Sequence, residues 1–225
     1  SYEAAHFCEV TISGEFTGEP TNITASTIIT ESGCYELANN IEGYIIVADG
    51  DVVIDLKGYN IEGSTKLSPE WLDAAQKYNL MYRSYIQTPI NIIGGNVVIN
   101  DSVGKSVISQ TNTSNACVVY VGGGTLTING GKYTQTGSCN TTPIQVYDFT
   151  HIEGAEEAGY DTCGKLVIND IDIKVNADRV AVFSNNTYSI VINADSYTSE
   201  ICWKEDYAAY CLVADANGVW SASDK

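Results

Sequence analysis

A short phrase recurs along this chain: Val52-Val53-Ile54-Asp55, Val97-Val98-Ile99-Asn100, Leu126-Thr127-Ile128-Asn129, Leu166-Val167-Ile168-Asn169 and Ile190-Val191-Ile192-Asn193. Each copy alternates apolar residues with period two and closes on Asn or Asp. No copy is long enough to bury a core alone, so the copies must cover one another in a stack. A triplet precedes each phrase: Ile45-Ile46-Val47, Ile90-Asn91-Ile92, Val119-Tyr120-Val121, Ile144-Gln145-Val146 and Val180-Ala181-Val182. Its outer residues are expected inside and its middle residue outside. A third set follows: Tyr59-Asn60-Ile61, Ser106-Val107-Ile108, Lys132-Tyr133-Thr134, Ile171-Asp172-Ile173 and Ser196-Tyr197-Thr198. Three short strands per copy, at an uninterrupted spacing of about 25–30 residues, predict a three-sided all-β stack with parallel pairing.

The stretch Gly33-Cys34-Tyr35-Glu36-Leu37, with Ile45 to Gly63, resembles the opening rungs of right-handed parallel β-helix repeat proteins. Gly124-Thr125-Leu126-Thr127-Ile128-Asn129-Gly130-Gly131 resembles a later rung of the same pectate-lyase-like superfamily. The resemblance spans roughly residues 27–200 and implies a single-stranded right-handed parallel β-helix with one short helical insertion. It says little about function, because that superfamily holds lyases, hydrolases, adhesins, tailspikes and inert structural proteins. One domain, 1–225, is expected. It comprises an N-terminal cap and first rung (1–40), a helical insertion (64–89), an acidic loop (149–164) and a C-terminal rung or cap (201–225).

Within that frame the closing residues Asp55, Asn100, Asn129, Asn169 and Asn193 form a column. At the ~4.8 Å spacing of neighbouring strands their amides can hydrogen-bond as a ladder. Val53, Val98, Thr127, Val167 and Val191 form an outward β-branched stripe, either a contact surface for assembly or a strip covered by an insertion. In the helical insertion, Ser68-Pro69-Glu70-Trp71 is a helix start, and Trp71, Ala74, Ala75 and Tyr78 share a face. Tyr120, Tyr133, Tyr147, Tyr188 and Tyr197 are expected outside, where aromatic rings suit sugars or protein partners.

The formal charge of −17 opposes nucleic acid, anionic membranes and polyanionic sugars as partners. No apolar run approaches the ~20 residues of a membrane span, so no membrane insertion is expected. The opening residues, Ser1 to Ala5, carry neither Met nor a basic-then-apolar signal, which fits a processed N-terminus. Seven cysteines suggest an oxidising compartment. Local staples would join Cys8 to Cys34, Cys139 to Cys163 and Cys202 to Cys211, leaving Cys117 as a buried thiol. Sequons at Asn22, Asn112, Asn140 and Asn185 are expected glycan acceptors, whereas a glycan on the sequon residue Asn100 would disturb the column.

Catalytic machinery is not legible. The outward positions Ile46, Asn91, Tyr120, Gln145 and Ala181 hold no carboxylate pair, and neither does the stripe. Asp172, Lys174, Asp178 and Arg179 gather charge, but solvated charges at a rung edge explain them. Glu153, Glu156, Glu157 and Asp161 around His151 are candidate calcium ligands, without the spacing of a known calcium loop. These features predict a non-catalytic extracellular, cell-surface or virion protein, a rigid building block that binds copies of itself or other protein subunits. The alternative is a module that binds neutral glycans in a Tyr-lined groove beside an excursion loop. A polysaccharide lyase or hydrolase is third, implied by the resemblance alone.

Overall fold

The computed structural model describes residues 18–64, 66, 68–80, 88–111, 117–135, 142–174, 180–186, 189–193, 201–205, 208–214 and 220–224. They form an all-β molecule with two large, mainly parallel sheets and, among the described residues, one short α-helix. β-Branched, alternating segments become strands because their apolar side has a common interior to fill. In chain order these are β1 (Thr21–Ile23), β2 (Thr27–Ile29), β3 (Gly33–Leu37), β4 (Ile41–Glu42), β5 (Ile45–Val47), β6 (Asp51–Asp55) and β7 (Ile61–Gly63). Helix α1 (Pro69–Lys77) intervenes before β8 (Ile90–Asn100), β9 (Val107–Gln110), β10 (Val119–Ile128), β11 (Lys132–Gln135) and β12 (Ile144–Val146). The remainder are β13 (Gly164–Ile168), β14 (Asp172–Lys174), β15 (Val182–Ser184), β16 (Ile190–Ile192), β17 (Ile201–Glu205), β18 (Ala208–Ala214) and β19 (Trp220–Asp224).

Three parallel ladders emerge from the pairing. The triplets pair as β2–β5–β8–β10–β12–β15, with Ile45, Ile90, Val119, Ile144 and Val182 in one column. The repeated phrases pair as β3–β6–β8–β10–β13–β16, and Val53, Val98, Thr127, Val167 and Val191 share a register position. The third ladder is β4–β7–β9–β11–β14. Inward residues of all three, among them Ile54, Ile99, Ile128, Ile168, Val47, Ile92, Val146, Ile61 and Ile108, form one buried cluster.

Three expectations change. Val182-Phe183-Ser184, not Val180-Ala181-Val182, sits in register with Ile144-Gln145-Val146, so Phe183 replaces Ala181 at the outward position. A shift of two residues keeps the same faces inward, so alternation alone could not separate the two settings. Tyr133 points into the core, fully buried, and its hydroxyl donates to Gly130 O at 3.2 Å. In the segment 201–225, β17 extends the first ladder in parallel with β15, and the pairing then turns antiparallel, β17 with β18 and β18 with β19. Cys202 is disulfide-bonded and stands opposite Cys211 in that register. Cys34 and Cys163 are free thiols, against the expected staples; their proposed partners Cys8 and Cys139 lie outside the described residues.

The first and second ladders meet at a corner built from glycine. Gly50, Gly95 and Gly124 all adopt positive φ, at 95°, 74° and 66°. A Cβ on Gly95 would lie 2.3 Å from Gly50 O, and one on Gly124 2.3 Å from Gly95 O. The stacked backbones touch there, so a side chain meets both a strained conformation and a clash. Gly124→Ala is expected to cost about 2–4 kcal/mol, read as a lower urea midpoint. An unchanged midpoint would mean that the backbones do not approach so closely.

Candidate functional site

The middle positions of the triplets are outward but not exposed. Ile46, Asn91, Tyr120 and Gln145 are all buried. Ile46 and Tyr120 lie beneath α1, in a second apolar cluster with Tyr44, Trp71, Ala74, Ala75, Leu80 and Cys117. Ser68 caps α1 by accepting from Trp71 N at 3.1 Å, and Pro69 opens its first turn. The helix ends where Asn79 turns to φ 56°, a left-handed conformation that Asn tolerates better than most side chains. Asn79 Nδ2 then donates to Gly159 O at 3.2 Å, tying the helix end to the 149–164 excursion.

Between them lies a groove of about 270 Å³ lined by Lys77, Tyr78, Asn79, Tyr120, Phe149, Tyr160 and Thr162 among others. Tyr120 and Phe149 are buried, whereas Tyr78 and Tyr160 are half-exposed. Phe149 packs on Tyr160 with ring centroids 4.8 Å apart and stacks on Tyr147 at 5.5 Å. Tyr147 in turn meets Tyr120 and Phe183. Aromatic faces with adjacent amide and hydroxyl groups are the chemistry that recognises a sugar ring: apolar C–H faces against the π-system, hydroxyls against polar groups.

The excursion wall is anchored by Asp148, whose side chain is only 3% exposed. Its carboxylate accepts from Thr150 N at 3.0 Å, Asn186 Nδ2 at 2.6 Å, His151 Nδ1 at 2.7 Å and the Thr150 hydroxyl. Its backbone pairs with the Asn185 amide, which donates to Asp148 O and accepts from Asp148 N, both at 2.8 Å. Asn185 thereby behaves like one more residue of strand. Burial alone would raise the Asp148 pKa, but hydrogen bonds from Thr150 and Asn186 and the His151 charge hold it below the usual carboxylate value. Burial pushes the Cys163 thiol up and Asp148 adds to this, partly opposed by Ser189, so it stays protonated at neutral pH and is not an activated nucleophile.

The expected column is real for its amides. Asn129 Nδ2 donates to Asn100 Oδ1 at 2.9 Å, Asn169 Nδ2 to Asn129 Oδ1 at 2.8 Å, and Asn193 Nδ2 to Asn169 Oδ1. Asp55 shares the register but commits its carboxylate to the amides of Lys57 and Ser102, at 2.9 and 3.0 Å. Burial would raise its pKa; the Ser102 amide and hydroxyl and the Lys57 amide and charge lower it overall. The stripe is only partly open. Thr127 and Val167 are 6% and 7% exposed, whereas Val53, Val98 and Val191 are half-buried.

The acidic residues do not converge. Glu153, Glu156, Glu157 and Asp161 are exposed, and among the described residues no three His, Cys, Asp or Glu side chains form a group able to hold a metal ion. Glu156 and Glu157 are consecutive in a 3₁₀ turn, which projects neighbours about 120° apart. Asp172 meets Lys132 at 3.7 Å; Asp178 and Arg179 lie outside the described residues. Nearby Asp101 holds a loop, accepting from Gly58 N, Ser106 N and Ser106 Oγ. Asn22 is exposed; Asn112, Asn140, Tyr188 and Tyr197 lie outside the described residues. No helix among the described residues is long and apolar enough to cross a membrane.

Comparison of the chain with protein-family models, curated proteins and solved structures finds no match.

The Asp148 anchor was not foreseeable locally, because its partners Asn185 and Asn186 lie 37 and 38 residues away. Asp148→Ala leaves its buried donors unpaired and is expected to cost about 2–4 kcal/mol. A carboxylate whose folded pKa is depressed stabilises above its unfolded value, ~3.9, and loses that contribution as pH falls through the lower folded value. Acid titration of Asp148→Asn should therefore be flatter than wild type below about pH 4. Superimposable stability curves for the two proteins would contradict the anchor.

Proposed function

We propose that the chain is a right-handed parallel β-helix acting outside the cell or at a surface as a non-catalytic scaffold, and that its binding surface is the aromatic groove, which takes a saccharide. The observation that carries this reading is the convergence of Tyr78, Tyr120, Phe149 and Tyr160 with Asn79 and Thr162 between α1 and the excursion. Both walls rest on the rigid ladders, and the Asn79–Gly159 hydrogen bond holds them together. Rings fixed in advance lose little entropy on binding, which favours a ligand held by stacking. Tyr78→Ala and Tyr160→Ala should each weaken saccharide binding by about tenfold, or about 1.4 kcal/mol, in calorimetry on the folded protein. Wild-type affinity in both variants would remove the groove from the account.

A second reading, a building block that binds copies of itself or other subunits, rests on the half-buried Val53, Val98 and Val191. Thr127 and Val167 are already buried within the chain, so any contact would use the ends of the stripe. Under this reading Val53→Glu with Val98→Glu abolishes self-association seen by light scattering while the circular dichroism spectrum persists. Val167→Glu, by contrast, is expected to destabilise the monomer by several kcal/mol. A wild-type protein that stays monomeric at all concentrations would sink assembly.

A further inference from the structure

We propose that the groove selects a saccharide bearing a single acidic group, a carboxylate or a sulfate ester, held against Lys77; this rests on the saccharide reading above. The chain has 28 acidic and 11 basic side chains, yet the lining of this groove contains Lys77 and no carboxylate. Lys77 is exposed, and its ammonium lies 5.0 Å from the centroid of the Tyr78 ring, at the mouth of the groove. The ion pairs among the described residues are Lys57–Glu36, Lys132–Asp172 and His151–Asp148, so Lys77 is not neutralised. Asp73, one turn earlier and spaced for a helical pair, does not take it.

Position alone explains a Lys in the last turn of a helix, where it offsets the negative end of the dipole. That role does not account for the local balance of charge. The carbonyls of Ala74, Ala75 and Gln76 are already engaged by the amides of Tyr78, Leu80 and Asn79, which weakens the negative potential of the helix end. At physiological salt the screening length is ~8 Å, so charges farther away than this act only weakly within the groove. Around it, exposed Asp161 between the lining residues Tyr160 and Thr162, Glu70 and Asp73 on α1, and Glu153, Glu156 and Glu157 on the excursion oppose any further negative groups. A polyanionic chain is therefore repelled while one acidic sugar is accepted.

The test is a glycan array holding neutral, carboxylated and sulfated forms of the same oligosaccharides, probed with the full chain and with Lys77→Gln. The expected result is a preference of about tenfold or more for acidic over matched neutral forms. That preference should shrink from about 0.05 to about 0.5 M salt and vanish in Lys77→Gln, which should lose far more affinity for acidic than for neutral forms. Carboxylated and sulfated forms separate the two acid chemistries; enrichment of either supports the proposal. Equal binding of neutral and acidic forms, or an equal loss of both in Lys77→Gln, overturns the selectivity and leaves the groove reading intact. Binding confined to long polyanions also overturns it. Absence of binding to every form removes the groove reading itself, and this proposal with it.

Discussion

Strands paired in register at about 4.8 Å oblige each column of side chains to tolerate its own repetition. Apolar residues meet this condition at the inward positions, where each buried Ile, Val or Leu contributes roughly 1.5–3 kcal/mol. An amide meets it outside, since Asn both donates and accepts; the run from Asn193 to Asn100 uses one amide as the next one's acceptor. Net hydrogen bonds of this kind are worth only about 1 kcal/mol each. The apolar columns thus supply most of the stability, while the amides and the Gly50–Gly95–Gly124 corner restrict which register is allowed.

The same constraint explains what the sequence could and could not disclose. The phrases ending in Asn129 and Asn169 were readable as strands because alternation and a ladder residue coincide in each. The outward residue of β15 was misplaced because Val182 serves as an inward residue under either of two settings two positions apart. Tyr133 was expected outside, but its register partner Ile108 shows that the position belongs to the interior column. Burial of Ile46 and Tyr120 depends on α1, an inserted segment whose apolar face announces a contact without naming its target. Cys34 and Cys163 were spaced suitably for staples, but spacing carries no distance information, and Cys163 lies instead beside Ser189 at 3.8 Å.

The groove on this scaffold is formed by what departs from the repeat. The ladders alone present a periodic surface; α1 and the excursion interrupt it and supply the groove walls. Their attachments differ in kind. Trp71 and its neighbours fasten α1 by apolar burial, whereas Asp148, Asn185 and Asn186 fasten the base of the excursion by a buried polar network. Such a network is directional, so it fixes orientation more sharply than apolar contact does. The groove was half-legible: the tyrosines and the loop were visible in the sequence, but Lys77 and Asn79 joined them only through the position at which α1 ends.

The core, the amide ladder and the placement of both groove walls follow from the shared register of the repeated phrases. The most direct measurement is a set of nuclear Overhauser contacts between backbones of the second ladder in isotopically labelled protein. The account predicts parallel contacts that align Leu126 with both Val97 and Leu166, and Val98 with both Val53 and Thr127. Antiparallel contacts, or an alignment displaced by two residues along any of these strands, would contradict it.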